Sequence, residues 1–478
     1  MESKEGLRVQ WWGRQADKNA GPTECTDLPG KSRAPSHKVI GMRIRGCWIA
    51  ALFLAALIAN TTSASPAIAL TAGNTLFEQT PTIGEVCMFD FGDAKGAYSV
   101  LTGYNAAHVY QTPGDYTFTL KRTGKPPITQ AIHVLPDQRT VVRVKATDNL
   151  AAVMRGVRNN CLVLLPAGAT FSVAKPVEIK SRNVEFRADG AGPAPRIVRT
   201  GVYTSTIYAQ GIGLTFRGLS FDSDRLLATW GERKVAYRAI NADGPHVSII
   251  GCEFHNVDDA IFCTDHTRGV LVQWSVFTNE VRSCDVWCYG RNVVLLGNKM
   301  ATSQQEHNVR SSAVGFTNLL LYQNDLTSTQ GKETLTFRVG QDLYASHNAF
   351  HKGWIRTGPG PRPDRAMTAR ELATAFVSHV VLIDNALTEG AWLQINEGSS
   401  DVTARYNRFD SSEKTVPVHL DGPSLKDIRV EENYRVLKGT PTQKPFVRAD
   451  RIEKGDLKTR GNRTKLNEEA AAEVDKDQ

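Results

Sequence analysis

A short sequence phrase recurs along the second half of the chain and restricts its fold more than any other feature. Most copies contain a few strand-forming residues, then a polar turn residue, then one residue and a large apolar one. The turn positions follow one another at steps of 23, 23, 26, 24, 37, 22 and 26 residues. Cys252 and Ser275 occupy the first two, and asparagine occupies the others: Asn298, Asn324, Asn348, Asn385, Asn407 and Asn433. A chain with this repeat is expected to form a coil of short strands.

The length of the repeat indicates the kind of coil. Most steps, of 22 to 26 residues, suit one rung of three short strands and three turns. Rungs that stack at the strand spacing of about 4.8 Å build long parallel sheets. Asparagine tolerates the left-handed backbone conformation and its amide can bond to neighbouring turns, so the asparagines predict a structural ladder at one corner. The sequence shows neither the hexapeptide rhythm of a left-handed β-helix nor the roughly 40-residue unit of a propeller.

We therefore predict an all-β fold whose main part is a right-handed parallel β-helix over residues 149–440. Helical apolar spacing at 149–160 predicts a helix that covers the open end of the solenoid. The 37-residue step predicts an insertion at 354–378, with a short helix starting at the capping-box sequence Thr368-Ala-Arg-Glu371. Residues 450–478 are mostly charged, and 441–478 are expected to form a charged C-terminal tail.

The entry to this region and the ladder resemble the pectin-lyase-like superfold. CLVLLPAGATF (161–171) reads as a buried strand broken by Pro-Ala-Gly, similar to the Leu-Pro-x-Gly turn that opens the first coil of that superfold. The resemblance covers residues 160–440, approximately. It implies that the ladder marks the turn between the second and third strands of each rung, and that a ligand groove lies one strand away.

A smaller β-sandwich is predicted at residues 75–146, from alternating runs such as YTFTLKR (116–122) and TVVRVKA (140–146) separated by Gly- and Pro-rich turns. FDFGD (89–93) and HVYQTPGDYTFTL (108–120) resemble the PKD family of immunoglobulin-like modules. The matching residues are Phe91, Gly92, Asp93, His108, Tyr110, Pro113, Gly114 and Tyr116. Phe89 and Ala94 depart from the tryptophan and the glycine usual in that family. The resemblance implies a spacer or a weak carbohydrate binder.

Residues 1–69 are read as a leader, with a secretory signal at 42–69. Met42-Arg-Ile-Arg45 precedes a 13-residue apolar stretch, CWIAALFLAALIA, and an Ala67-x-Ala69 cleavage site. The apolar stretch is shorter than the roughly 20 residues that span a bilayer, so we expect no stable membrane insertion after cleavage. Met42 is a candidate for the true start. The sequence thus predicts a secreted protein, extracellular or periplasmic, that acts as a monomer.

The net charge of +8 does not point to a particular binding partner. The leader holds nine Lys and Arg against five Asp and Glu, which leaves 48 against 44 in the remainder. A nearly neutral protein of this length gives no reason to expect nucleic acid. We predict no cofactor and no resident metal, with calcium at Asp222-Ser-Asp224 as the one alternative.

Outside the leader there are six cysteines: Cys87, Cys161, Cys252, Cys263, Cys284 and Cys288. In an oxidising compartment they could form disulfides, whose connectivity the sequence does not determine. Buried free thiols that pack as small apolar residues are an equally good interpretation.

Counting back 10 to 16 positions from each ladder residue reaches the strand that would line the groove. Alternation along those strands predicts one inward set: Ile261, Val286, Val309, Leu335, Leu393 and Val418. It predicts an outward set on neighbouring rungs: Trp287, Asn308, Arg310, Thr336, Arg338, Gln394 and Asn396. His307 and Lys332-Glu333 precede two of these strands. Arginine forks pair with carboxylate or sulfate and tryptophan offers a stacking face, so the patch predicts an acidic polysaccharide as partner.

Such a patch fits β-elimination, in which cations neutralise a uronate carboxylate while a base removes the adjacent C5 proton. The predicted catalytic residues are Arg310 and Arg338 as neutralisers, with Lys332 or His307 as the base. A lysine titrates near 10.4 and needs burial or cationic neighbours to act as a base. Trp287, Asn308, Glu333, Thr336, Gln394 and Asn396 are predicted to bind the substrate.

Two other functions stay open. A glycoside hydrolase needs two carboxylates, and the candidates are Asp258, Asp259 and Asp243. NVDDAIFC (256–263) and the preceding Asn241-Ala-Asp243 resemble polygalacturonases, but Asp243 and Asp258 are only 15 residues apart and the other motifs of that family are missing. The third function is a non-catalytic glycan-binding or cell-surface protein, since β-helices host enzymes and adhesins alike.

Overall fold

The computed structural model describes residues 67–201, 204–223, 237–278, 284–303, 307–328, 332–359, 368, 374–412, 414–437, 444–450 and 456–466. From residue 140 onwards these residues form three long parallel sheets, named here the first, second and third sheet in the order in which each rung crosses them. The predicted fold class, a right-handed parallel β-helix preceded by a small β-sandwich, is confirmed by these strand pairings.

The strands of each sheet are given in chain order. The first sheet contains Thr140–Arg143, Cys161–Pro166, Val184–Asp189, Leu214–Arg217, Val247–Ile250, Arg268–Gln273, Arg291–Leu296, Thr317–Tyr322, Gly340–Ser346, Val377–Ile383, Ser399–Arg405, Lys426–Glu431 and Leu457–Arg460. The second contains Thr170–Val173, Arg196–Arg199, Ser220–Ser223, Glu253–His255, Val276–Thr278, Lys299–Ser303, Asp325–Ser328, Ala349–His351, Ala386–Thr388, Arg408–Ser411, Tyr434–Leu437 and Arg463–Leu466. The third contains Val177–Ile179, Ser205–Ala209, Arg238–Ala242, Asp259–Cys263, Cys284–Cys288, His307–Ser311, Glu333–Phe337, Trp354–Thr357, Trp392–Asn396, Val418–Asp421 and Val447–Asp450.

The interior of the coil is filled by columns of apolar side chains, one from each rung. In the second sheet Phe221, Phe254 and Phe277 stack with ring centroids 5.2 and 4.8 Å apart. Each is at most 1% exposed. Parallel register places residues of the same type directly above one another, so every rung buries its inward face against its neighbours. Hydrophobic burial along these columns is the main term that stabilises the coil.

A continuous ladder of asparagines lies at the turn between the first and second sheets. Each side-chain oxygen accepts two hydrogen bonds from the preceding asparagine, one from its backbone N–H and one from its side-chain amide. Asn324 Oδ1, for example, accepts from the backbone N–H of Asn298 at 3.0 Å and from its side-chain amide at 2.9 Å. The same amide of Asn298 also donates to Val272 O at 2.9 Å. The pattern continues through Asn348, Asn385, Asn407 and Asn433 to Asn462, which the repeat had not revealed. Ser275 accepts from the backbone N–H of Cys252 in the same way, at 3.2 Å.

The left-handed conformation at this corner belongs to the residue before each asparagine, so the expectation that asparagine itself adopts it was wrong. The residues with positive φ are Trp274, Gln323, His347, Asp384, Tyr406 and Glu432, together with Gly251, Gly297 and Gly461. The asparagines are required because one buried side chain must accept from a backbone N–H and donate to a backbone carbonyl at once, not because of their own φ.

The two ends of the coil differ from one another. At the start, a helix at Leu150–Gly156, capped by Asn149, places Leu150, Ala151 and Met154 over the core. At the other end, strands at 447–450, 457–460 and 463–466 add a further rung, so the predicted tail from 441 was placed too early. These strands were missed because their outward residues are mostly charged. Residues 467–478 lie outside the described residues.

The predicted insertion also has different bounds. Trp354–Thr357 is a strand of the third sheet and Val377–Ile383 a strand of the first, so the additional residues lie between these strands. The helix predicted from Thr368 falls almost entirely outside the described residues. The count back from the asparagine failed here because the extra length comes after the third-sheet strand.

The sandwich consists of a five-stranded and a two-stranded sheet. The first is ordered Ile68–Thr71, Lys125–Leu135, Gly114–Arg122, Cys87–Asp90 and Val100–Gly103; the second pairs Thr75–Gln79 with Asn105–Val109. Thr140–Arg143, predicted to belong to the sandwich, pairs instead with Cys161–Pro166 of the first sheet. The strand at Ile68 includes two residues of the predicted leader; residues 1–66 of the leader lie outside the described residues.

The sandwich packs directly on the outer face of the first sheet. Leu271, Val294 and Leu320 are buried in one apolar cluster with residues of the sandwich. Asn105, which is fully buried, donates to the carbonyls of Val293 and Asn318 at 3.2 and 3.3 Å. The sandwich therefore covers one face of the coil and is not a detached spacer.

The residues that resemble the PKD motif form one bonded cluster. His108 Nε2 lies 3.1 Å from Asp93 Oδ2, and the Tyr110 hydroxyl donates to Phe91 O at 2.9 Å. Burial lowers the pKa of His108 even though Asp93 opposes this. These contacts show that the motif residues pack and bond to one another inside the sandwich. Membership of the PKD family stays a prediction.

All six cysteines outside the leader are free and buried, which supports the buried-thiol interpretation over disulfides. Cys263 and Cys288 are register partners on neighbouring rungs of the third sheet and point inward. Within the described residues, no helix is long and apolar enough to cross a membrane.

Candidate active site on the third sheet

The third sheet presents a continuous row of outward side chains that differ from the rest of its surface. Register pairing aligns the inward residues Ile261, Val286, Val309, Leu335, Ile355, Leu393 and Val418, none more than 1% exposed. In the first six of these strands the next residue therefore lies on the outer face: Phe262, Trp287, Arg310, Thr336, Arg356 and Gln394. Two of them are covered, since Thr336 is 0% and Arg356 7% exposed. At one rung spacing each, the row covers roughly 24 Å along the coil.

A buried ion-pair network occupies the middle of the row. Glu333 Oε2 lies 3.2 Å from His307 Nδ1, and Glu333 Oε1 lies 2.6 Å from Arg356 Nη1. The Thr336 hydroxyl lies 3.2 Å from the same His307 nitrogen. The side chains of His307 and Glu333 are only 4% and 9% exposed. The network holds one carboxylate between an imidazole and a guanidinium on three successive rungs.

Electrostatics in this network favour the charged carboxylate. Burial by itself would raise the pKa of Glu333, but the hydrogen bond from His307 and the charges of His307 and Arg356 outweigh it and lower that pKa to about 2. Burial lowers the pKa of the Arg356 guanidinium; Glu333 opposes this and the nearby charge of Arg310 adds to it. Arg310 and Arg356 lie two rungs apart with Thr336 between them, so an anion placed between the two positive charges is favoured.

Aromatic rings flank the cations on one side. The Arg310 guanidinium lies 4.8 Å from the centre of the Trp287 ring, and the Trp287 N–H donates to Ser312 Oγ at 3.0 Å. Phe262 packs edge-on against Trp287, with centroids 5.6 Å apart. Arg238 covers the other ring, 3.7 Å from the centre of Phe262. Trp287 is half-buried and held from two sides, so its ring offers a rigid stacking surface.

The other predicted site residues fall into two groups. Arg338 and Gln394 are half-exposed beside the network, while Lys332 is exposed in the turn that precedes Glu333. Asn308 and Asn396, predicted to face outward, are 0% and 1% exposed. Asn308 donates to Asp285 at 2.7 Å and Asn396 to Pro359 O at 2.7 Å, because both lie at strand ends where the chain turns. These two do not present an amide to solvent.

Asp285 lies beneath the row and is fully buried. Burial raises its pKa to about 8, although the amide of Asn308 opposes the shift. Burial thus favours the protonated form of Asp285, which Asn308 contacts beneath the row.

Sequence reasoning missed Arg356, because Trp354–Thr357 was assigned to the insertion. The same strand supplies Trp354, whose ring stacks on Trp392 of the next rung with centroids 5.3 Å apart. The alternation in WIRT, together with the tryptophan that also begins WLQIN, was the signal that could have identified this rung.

The carboxylates proposed for a hydrolase are occupied elsewhere. Asp258 and Asp259 are both 0% exposed. Asp258 accepts from the Tyr237 backbone N–H at 2.8 Å, and Asp259 pairs with Arg238 at 3.2 Å. Asp243 follows the far end of the strand that begins at Arg238, so it lies roughly 16 Å from Asp259 along the strand direction. This placement does not present two carboxylates to one glycosidic bond.

No group of three or more histidine, cysteine or acidic residues within the described ranges could hold a metal ion. Asp222, the candidate calcium ligand, pairs with Arg196 and accepts from Asn256 at 3.0 Å. Its predicted companion Asp224 lies outside the described residues.

Neither a protein-family model nor a curated protein sequence matches this chain. Solved structures that it resembles include a lacto-N-biosidase from Eubacterium ramulus (TM-score 0.43, 11% identity, 68% of this chain and 68% of that chain). A second is an endo-xylogalacturonan hydrolase from Aspergillus tubingensis (TM-score 0.38, 11% identity, 69% of this chain and 94% of that chain). A third is a rhamnogalacturonan lyase (TM-score 0.40, 10% identity, 68% of this chain and 87% of that chain). Similarity at this level identifies no activity, and the fold assignment rests on this chain's own strand pairing.

Proposed function

We propose that this protein is a polysaccharide-active enzyme that cleaves an acidic glycan by β-elimination. The observation that carries the proposal is the network of His307, Glu333 and Arg356, with Arg310 beside it over Trp287. It combines a histidine oriented by a carboxylate, two cations close together and a stacking ring on four neighbouring rungs. A uronate residue of a polysaccharide offers the matching carboxylate, acidic proton and flat sugar face.

Each residue has one role in the proposed reaction. Arg310 and Arg356 bind the uronate carboxylate, which stabilises the negative charge that develops when the C5 proton leaves. His307 takes that proton, and Glu333 orients its imidazole and stabilises the imidazolium that forms. The C5–H electron pair becomes the C4–C5 double bond, and the C4–oxygen bond breaks. The leaving oxygen takes a proton from solvent.

The first test is incubation of the purified chain with polygalacturonate, rhamnogalacturonan, alginate and chondroitin sulfate. New ultraviolet absorbance from an unsaturated uronate is the expected result, together with new reducing ends. His307→Gln is expected to lower the rate by about 10²–10⁴-fold, the usual contribution of a general base. Lys332→Ala is the matched control, because Lys332 lies in the turn before Glu333 on the next rung but is exposed.

Other outcomes change the assignment in defined ways. If Lys332→Ala removes activity and His307→Gln does not, the base is Lys332. Reducing ends without new absorbance contradict β-elimination and indicate hydrolysis, by carboxylates other than the buried Asp258 and Asp259. No product from any polymer, with saturable binding retained, contradicts the enzyme assignment.

The second candidate is a glycan-binding protein without catalysis. The low exposure of the His307 and Glu333 side chains favours it, since a buried pair can serve only to hold Arg356 in place. The pH profile separates the two, because a base gives a rate that falls as His307 is protonated, whereas binding through the arginines persists.

Export is part of the proposal and is carried by the signal-like sequence at 42–69. The protein is proposed to act outside the cytoplasm as a monomer. The mass of the mature N-terminus after expression with the native leader tests cleavage, and sedimentation tests the oligomeric state.

A further inference from the structure

A cavity of about 300 Å³ lies between the sandwich and the coil, away from the third sheet. The sandwich contributes Asp93, Lys95, Gln111 and Thr112 to its wall, and the coil contributes Gln273 and Trp274. Its volume is at the lower end of the range found for small-molecule sites. Because Trp274 lies in the turn between the first and second sheets, this cavity shares no residue with the site on the third sheet.

Trp274 is an unexpected residue at its position. Its φ is +53°, and the same turn in the rungs on either side is made by Gly251 and Gly297. Trp274 is 47% exposed, although tryptophan normally buries its large apolar surface. A bulky residue in the left-handed region costs free energy that glycine does not. Tyr406 shows that a large side chain is tolerated at this turn, but the Trp274 ring also lines the cavity while nearly half of the residue is open, so a ligand can reach it.

The sandwich holds Trp274 in a defined orientation. Tyr98 packs against it, with ring centroids 5.9 Å apart, and the Tyr98 hydroxyl bonds to the Trp274 side chain. Gly297 leaves the room that this hydroxyl needs, because a Cβ there would lie 2.2 Å from the Tyr98 oxygen. The indole is thus fixed by one partner while nearly half of the residue stays open to solvent. A preorganised aromatic surface of this kind loses little entropy when a ligand stacks on it.

The remaining wall indicates the ligand. Gln111 and Gln273 supply amides, and Thr112 supplies a hydroxyl, all suited to sugar hydroxyl groups. Asp93 is already bonded to His108, at 3.1 Å, and to the Gly96 N–H, at 3.1 Å. Its negative charge is therefore engaged within the sandwich, and Lys95 is the cation of the wall. One lysine and one engaged aspartate form no cation cluster like that of the third sheet.

We propose that the junction of the sandwich and the coil is a second carbohydrate site, which binds a neutral oligosaccharide by stacking a sugar ring on Trp274. The site exists only when the sandwich is docked, since both parts line it. It would hold the protein on a neutral glycan while the third sheet engages an acidic one.

The test is a titration of the purified chain with cellopentaose, mannopentaose, xylopentaose and, for comparison, a galacturonate pentamer, followed by calorimetry and by the indole N–H signals in NMR spectra. A neutral pentamer is expected to bind at micromolar to millimolar concentration and to shift one indole signal. Trp274→Gly restores the residue found in the neighbouring rungs and should weaken binding at least about tenfold, as for a central aromatic anchor. Gln111→Ala, on the sandwich, should weaken the same binding.

Tyr406→Gly is the matched control. Tyr406 occupies the same turn position at φ +58° and is 41% exposed, but the cavity does not include it. Arg356→Ala tests independence from the third sheet and should leave the affinity for the neutral pentamer unchanged. No saturable binding of any neutral pentamer would overturn the proposal, as would equal affinities for the wild type and Trp274→Gly. Loss of binding in Arg356→Ala would place the ligand on the third sheet instead.

Discussion

The outer faces of the first and third sheets are built by the same rungs and yet have opposite chemistry. On the first sheet the outward residues Leu271, Val294 and Leu320 are apolar and fully buried, because the sandwich covers them. On the third sheet Arg310 and Arg356 occupy corresponding outward positions, next to half-buried aromatic rings. An apolar strip of this length is tolerated only when another part of the chain covers it. The polar strip is only partly covered: the pair of Glu333 and Arg356 is buried, while Trp287 and Arg310 are half-exposed and available for a ligand.

Two glutamates repeat the contrast on a smaller scale. Glu333 on the third sheet is buried between His307 and Arg356, and its pKa is lowered to about 2. Glu78, on the sandwich strand Thr75–Gln79, is desolvated by burial, which raises its pKa to about 7. Similar carboxyl groups therefore respond in opposite directions, because partners stabilise charge in one place and desolvation opposes it in the other.

The largest loss of stability is expected when a charge is placed on the covered face of the first sheet. Leu320→Asp places a carboxylate at a fully buried position against Gly103 of the sandwich. We expect a loss of about 4 kcal/mol or more in the free energy of unfolding, read from guanidinium denaturation. Gln394→Asp, on the half-exposed face of the third sheet, is the control and should change stability by less than about 1 kcal/mol. Equal shifts would show that the sandwich does not seal the first sheet.

The second largest loss of stability is expected when the buried carboxylate of the third sheet, Glu333, is replaced. Glu333→Gln leaves Arg356 and His307 without their counter-ion, and we expect a loss of about 3 kcal/mol at pH 7. The pKa of Glu333 is depressed, so its contribution is present above the unfolded value of 4.5 and is lost as pH falls toward 2. Urea denaturation at pH 7 and at pH 3 should therefore show a smaller difference between wild type and variant at the lower pH. A difference that grows on acidification would contradict the network.

The opposite pH dependence is expected for Glu78→Gln. A raised pKa means that the folded state prefers the protonated acid, so stability declines as pH rises from 4.5 and the decline is complete above about 7. The variant should be more stable than wild type by about 1–2 kcal/mol at pH 8, and similar to it at pH 4.5. Thermal denaturation across this range checks the sign. A variant that is less stable at pH 8 would show that Glu78 has a partner when ionised.

The smallest effect concerns the boundary between the covered face and the ladder turn. Tyr98→Phe removes the hydroxyl that bonds to Trp274, and we expect a loss of about 1 kcal/mol, the net value of one hydrogen bond. Tyr406→Phe is the matched control: it removes a hydroxyl that bonds to Glu432 at a turn away from the sandwich, so any additional loss for Tyr98→Phe measures docking of the sandwich. A larger loss for Tyr406→Phe than for Tyr98→Phe would show that Tyr98 does not help to dock the sandwich.

Much of the coil could be predicted because its signals are local. The spacing of Asn298, Asn324 and the later asparagines identified the rung length, and alternation within each strand identified inward residues such as Val286 and Leu335. Errors appeared wherever a turn changed length or composition. The strand at Trp354 was hidden by the insertion after it, and the strand at Val447 was hidden by charged outward residues.

The amino-acid sequence by itself determined the repeat, the inward columns and the candidate row that contains Trp287 and Arg310, because periodicity and side-chain alternation follow from backbone geometry alone. Only the tertiary structure decided which side chains meet. It joined Arg356 to Glu333 and buried Asp258 and Asp259. It also placed the sandwich over the first sheet. These outcomes depend on register between strands more than twenty residues apart and on the surface left uncovered after docking, and no local pattern encodes either.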